Sequence, residues 1–132
     1  MRLVINKGPG PFKLSFYGTC MYATERGLHL YWRIGDEGEL ISIYDKDKTT
    51  SELFEDENID KDIRLRFYTA NGEWWNPIEH ITRDDQILLD TYDIQEWTHP
   101  DAKLVIVEVD PEDLFETDGM GVDTMRVPYR EE

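Results

Sequence analysis

The residues 102–109, Ala102-Lys103-Leu104-Val105-Ile106-Val107-Glu108-Val109, form the densest β-branched run in the chain. The run is shorter than an ordinary helix, and turn-prone Thr98-His99-Pro100-Asp101 and Asp110-Pro111 bound it on either side. Its alternation is poor because both faces are apolar, which predicts a strand buried on both sides. Val105, Val107 and Val109 would share one face, and Leu104 and Ile106 the other. Glu108 is expected at the rim, because an unpaired buried carboxylate costs several kcal/mol or protonates. At roughly 1.5–3 kcal/mol for each aliphatic side chain fully buried, this strand is the expected centre of the core.

The rest of the chain reads as short elements joined by turns. A strand at residues 1–6 is followed by the breaker cluster Lys7-Gly8-Pro9-Gly10-Pro11. Phe12, Leu14 and Phe16 then alternate with Lys13, Ser15 and Tyr17, the period of a half-buried strand. Residues 28–34 and 39–44 flank Gly35-Asp36-Glu37-Gly38 as a hairpin, and residues 63–68 lead through Asn71-Gly72 to Trp74 and Trp75 as a second one, ended by Pro77. Thr50 or Ser51 can cap one helical turn, with a mobile loop onward to Asp62. Thr82 opens a capping box for a short helix over residues 83–91, residues 110–115 carry the signs of one further helical turn, and residues 125–129 can close the sheet. The expected fold is a single domain over residues 1–132, α+β and β-rich, with a strongly bent antiparallel or mixed sheet and one or two short helices.

Charge departs most from the ordinary. The chain carries 29 acids against 14 bases, a net −15, yet up to Ile34 Glu25 alone opposes Arg2, Lys7, Lys13, Arg26 and Arg33. Residues 84–118 hold twelve acids and one base, Lys103. Such a field repels nucleic acid and anionic membrane and steers the protein toward basic surfaces. No apolar run is long enough to span a bilayer, and the lone Cys20 can form no internal disulfide, so a cytosolic location is expected.

Motifs for chemistry are sparse. Asp45, Asp47 and Thr49 fall at the first, third and fifth positions of a calcium loop with Asp56 at the twelfth, but Thr50 stands where the sharp turn needs glycine. His29, His80, His99 and Cys20 lack metal-ligand spacing, and Gly8-Pro9-Gly10-Pro11 lacks the lysine and hydroxyl of a phosphate loop. Cys20 fits buried packing. No metal, cofactor or catalytic set is assigned from these patterns.

Two stretches resemble known families. Tyr17-Gly18-Thr19, followed by Tyr22-Ala23 and Gly27-Leu28-His29, resembles the first strand region of ADP-ribosyltransferase-type domains, with Tyr17 where that family places histidine. That resemblance implies contact with a nicotinamide nucleotide and, at Glu108, a glutamate stabilising an oxocarbenium-like transition state. Residues 105–114 with Met125-Arg126-Val127-Pro128-Tyr129 are similar to the C-terminal segment of phage rapid-lysis B-type proteins, over about a fifth of the chain, which implies a phage origin.

Aromatic residues carry more weight. Adjacent Trp74 and Trp75 in a strand must face opposite sides, so one of them lies outside the main core unless both faces are covered. Exposed aromatics framed by acids make a protein-binding surface. The expected contact set is Asp84, Asp85, Asp90, Asp93, Glu112, Asp113 and Glu116, with Trp74 and Trp75. The expected function is a non-enzymatic acidic binding protein that neutralises a basic, nucleic-acid-acting partner, as a phage anti-defence protein or a nuclease immunity protein does. An enzyme acting on a nicotinamide nucleotide and a phage structural or assembly protein are the alternatives. Oligomeric state stays open.

Overall fold

A computed structural model describes residues 1–108 and, beyond them, the backbone pairing of three short strands. β1 (Arg2–Asn6) runs antiparallel to β6 (Leu104–Glu108), in register from Arg2 opposite Glu108 to Asn6 opposite Leu104. β9 (Arg130–Glu131) pairs with the other edge of β6, so β6 is the middle strand of its sheet. A second sheet has the order β3 (Ile41–Ser42), β2 (Tyr31–Ile34), β4 (Leu65–Tyr68), β5 (Trp74–Trp75), all antiparallel. β7 (Phe115–Thr117) and β8 (Asp123–Met125) form a separate ladder. Both hairpins are where the turn residues put them. Gly35, Gly38 and Gly72 adopt positive φ, and the Gly72 N–H closes its turn on the Thr69 carbonyl at 2.9 Å.

The class is the expected α+β one, but the helices are more numerous than expected. α1 (Phe16–Arg26) replaces the strand read into residues 12–17. Ladder pairing in that stretch is confined to a bridge between Leu14 and Thr98. The Ser15 hydroxyl accepts the Gly18 N–H at 2.9 Å and the Asp60 carboxylate accepts the Phe16 N–H at 2.7 Å, so the first turn of a helix is satisfied where a strand would have continued. Gly27, in the left-handed region at φ 78°, ends the helix. The alternation of Phe12, Leu14 and Phe16 nevertheless marks buried positions correctly, and all three are almost wholly buried.

Residues 51–62, read as one helical turn and a mobile loop, instead make two: α2 (Ser51–Glu55) and α3 (Glu57–Lys61). Asp56 closes the first and caps the second through the Asn58 N–H, while Ile59 anchors α3 in the core. α4 (Pro77–His80) begins on the proline that ends β5. α5 (Gln86–Asp90) starts later than the capping box at Thr82 implied, because Asp85 is the residue that caps it. α6 (Ile94–Trp97) follows directly. Of the helical turn expected at residues 110–115, residues 110–114 lie outside the described residues and Phe115 instead opens β7; residues 126–129 of the expected last strand also lie outside them.

β6 buries both faces as expected. Leu104 and Ile106 join the larger core, and Val105 and Val107 join Leu3 and Ile5 in a smaller one; Val109 lies outside the described residues. The centre of the larger core, however, is α1 rather than β6. The Phe16 ring lies 5.3 Å from Trp32, edge to face, and within 6 Å of Phe54 and Phe67, joining the helix to the second sheet.

Candidate functional site

The predicted contact acids separate once they are placed. Asp84 is exposed. Asp85 turns inward, where its carboxylate accepts the Ile87 and Leu88 N–H groups and the Tyr22 hydroxyl, so it holds α5 on α1 and is removed from the contact set. Asp90 and Asp93 are exposed on either side of the α5–α6 junction, with Glu96 on the next turn. Between them Tyr92 projects with its side chain fully exposed, at 104% of the reference value. Asp93 also accepts the Gln95 N–H at 2.9 Å as the cap of α6, and Asp90 accepts from Gln86 Nε2 at 2.8 Å. Local hydrogen bonds therefore hold both carboxylates in place while leaving them in solvent. Glu112 and Asp113 lie outside the described residues, and Glu116 enters as the backbone partner of Thr124 in β7.

The two tryptophans face opposite ways, as strand geometry requires. Trp75, 4% exposed, packs on buried Tyr22 and beneath exposed His80 and leaves the contact set. Trp74 is 51% exposed, with the Arg66 guanidinium 4.7 Å above its ring.

Trp74 and Arg66 stand at the edge of a cavity of about 240 Å³ that no sequence pattern announced. The strap after β1 forms one wall. Asn6 holds the start of that strap, accepting the Gly8 and Lys103 N–H groups and donating to the Gly10 carbonyl. The Ser15 and His99 N–H groups then tie it to the chain around α6 through the Trp97 and Lys13 carbonyls. Lys13, flanked by buried Phe12 and Leu14, is thereby aimed at the cavity beside Asp60 and His99.

The charges in this cluster are shaped by burial. Burial pushes the Lys13 ammonium below its ordinary pKa, against the opposing pull of Asp60 and Asp101. It pushes Asp60 up, against the Phe16 N–H that favours the carboxylate. His99 is lowered by burial and by Lys13. Its Nδ1 accepts the Asp101 N–H at 3.0 Å and its Nε2 lies 2.7 Å from the Asp60 carbonyl, a pair of bonds that only the neutral Nε2–H tautomer can make. The Asp101 carboxylate, 3.9 Å from Nδ1, would favour a cation, but the hydrogen-bond geometry and the burial both oppose it.

Other residues singled out in the sequence are placed apart. Cys20 is buried and free, its thiol pushed up to about 12 by burial, which makes it an inert packing group at neutral pH. Tyr17, Gly18 and Thr19 lie in the first turn of α1, with Tyr17 edge-on to Phe54. Glu108 pairs with the amino terminus at 2.6 Å. Asp45 accepts the Asp47 and Lys48 N–H groups as a turn residue. Among the described residues, no three potential metal ligands come together.

Lys13 was hidden in an apparent strand, and Asp60 and His99 reach it from positions 47 and 86 residues away along the chain. A single lysine between two large apolar residues is the one local signal that could have raised it. What the geometry defines is a small acidic α+β protein with an aromatic-centred acidic edge and, separately, a cation-bearing cavity. No family model matches the chain, and comparison with curated proteins and with solved structures finds no match.

Proposed function

We propose that this protein is an acidic docking protein whose α5–α6 edge engages a basic surface of a nucleic-acid-acting partner and blocks it. The observation that carries this reading is Tyr92, fully exposed between Asp90 and Asp93. A solvated tyrosine covers no core and gains nothing from the fold. At the centre of an interface it supplies a large contact area for little entropy cost, and flanking carboxylates add rate and register on a cationic partner. The net charge of −15 supports the same reading, since it disfavours phosphate-bearing or anionic-lipid partners and favours basic ones. A phage anti-defence role or a nuclease immunity role fits a protein of this kind.

The test is capture of partners from host lysate by the full chain, compared with Tyr92→Ala and with Asp90→Asn/Asp93→Asn/Glu96→Gln. Asparagine is chosen at Asp93 because it caps a helix as well as aspartate, whereas charge reversal there would remove the α6 cap. A basic nucleic-acid-acting protein should be recovered by the native chain and lost or strongly reduced with both variants. Equal recovery by all three would remove the edge from consideration.

A further inference from the structure

We propose that the cavity beside Lys13 is a binding site for a small organic monoanion, a planar apolar ring carrying a carboxylate. The volume fits one such molecule. Roughly 150 Å³ of apolar cavity takes a benzene, so about 240 Å³ leaves room for a ring and one polar substituent. The walls are aromatic and aliphatic, with Phe67, Trp75, Pro77 and Ile78 inside and Trp74 and Ile63 at the mouth. Ile63 is 90% exposed, an apolar side chain standing in solvent beside an apolar opening. This position is expected where a ligand rather than the fold completes the burial.

The charge balance selects an anion. Lys13, Arg66 and Asp60 are the ionised side chains of the lining, one positive charge in excess, and the Asp101 carboxylate that also acts on Lys13 stands mostly in solvent outside it. Asp60 is already answered, because it accepts the Phe16 N–H at the start of an eleven-residue helix, where the aligned peptide dipoles favour a carboxylate. His99 is neutral, with both ring nitrogens engaged. Among the described residues the Lys13 and Arg66 side chains make no hydrogen bond or salt bridge, the Arg66 guanidinium lying over the Trp74 ring. They also lie close enough for Arg66 to oppose the charge on Lys13. Two like charges converging on a half-enclosed apolar space gain most from a carboxylate set between them, and the cost of desolvating Lys13 falls when that partner arrives. Contact with the aromatic walls at Phe67 and Trp75 then discriminates a ring from a bare ion.

Titration of the full-length protein with benzoate, indole-3-carboxylate, benzamide and inorganic phosphate, followed by amide chemical shifts, tests the assignment. Both carboxylates should produce saturable shifts at Lys13, Arg66, Trp74 and His99. Benzamide should bind more weakly by about tenfold or more, the order of one charge-assisted hydrogen bond. Phosphate should leave those resonances unmoved at the same concentrations. Lys13→Met should abolish the preference for benzoate over benzamide, and Lys13→Arg should retain it. The proposal is overturned if neither carboxylate gives saturable shifts, if benzamide binds as tightly as benzoate, or if phosphate moves the same residues as far. Because the comparison of benzoate with benzamide uses the native chain, it stands whether or not a Lys13 variant folds.

Discussion

At His99 the surroundings hold an imidazole neutral and spend both ring nitrogens on backbone groups. Lys13, Asp60 and Asp101 are the charged groups that face it. Its folded pKa lies below its unfolded value near 6.5, so below that value the unfolded chain binds the proton more readily than the native one. Its contribution to stability is complete above about pH 6.5 and is lost as pH falls through the lowered folded value. Melting temperature should therefore drop on acidification below that point before most carboxylates titrate, and His99→Gln, which can still donate to Asp60 and accept from Asp101, should lose that part of the slope. An unchanged slope in the variant would show that His99 is not the group responsible. Single residues were legible only where geometry forces the answer. That Trp74 and Trp75 point opposite ways follows from strand alternation. That Asp85 is a cap and Asp90 a surface acid does not, since both are carboxylates in an acid-rich stretch and differ only in which N–H groups the fold brings to them.

The element that organises the fold, α1, is the one that the sequence pattern conceals. Phe12, Leu14 and Phe16 satisfy a strand pattern, while Phe16, Cys20 and Ala23 satisfy a helix pattern that starts on the last of them. The choice is made by Ser15 from within and by Asp60 from 44 residues away. Only the first of these could be read locally. The turn residues of the two hairpins and the two-sided burial of β6 were legible because each rests on contacts close in sequence or on a period of two. The seating of α1 depends on close approach at Gly18, where an added Cβ would lie 2.3 Å from the Trp97 carbonyl oxygen and 2.6 Å from its Cα. Backbone cannot yield as a flexible side chain would. Gly18→Ala should destabilise by about 2–3 kcal/mol despite the better helix propensity of alanine, read as a shift of the denaturant midpoint. A variant as stable as the native chain would show that α1 and α6 do not pack this tightly.

Across the whole molecule, opposite electrostatics occupy different places. Exposed acids line the α5–α6 edge, as they do α2, α3 and the first hairpin turn, whereas Lys13 and Arg66 line the cavity. Composition foretold the first and concealed the second, because a net charge of −15 averages over both. The two sites should also answer salt differently. Docking through the edge is an attraction between unlike charged surfaces, so its rate falls as the Debye length shrinks from about 30 Å near 10 mM salt to about 8 Å near 150 mM. The most direct test of the docking function is the association rate of the captured partner across that range, for the native chain and for Asp90→Asn/Asp93→Asn/Glu96→Gln. The native rate should fall steeply with salt, and the variant should associate more slowly at low salt and lose most of the slope with its melting temperature nearly unchanged. Equal rates and equal slopes for the two proteins would contradict the account.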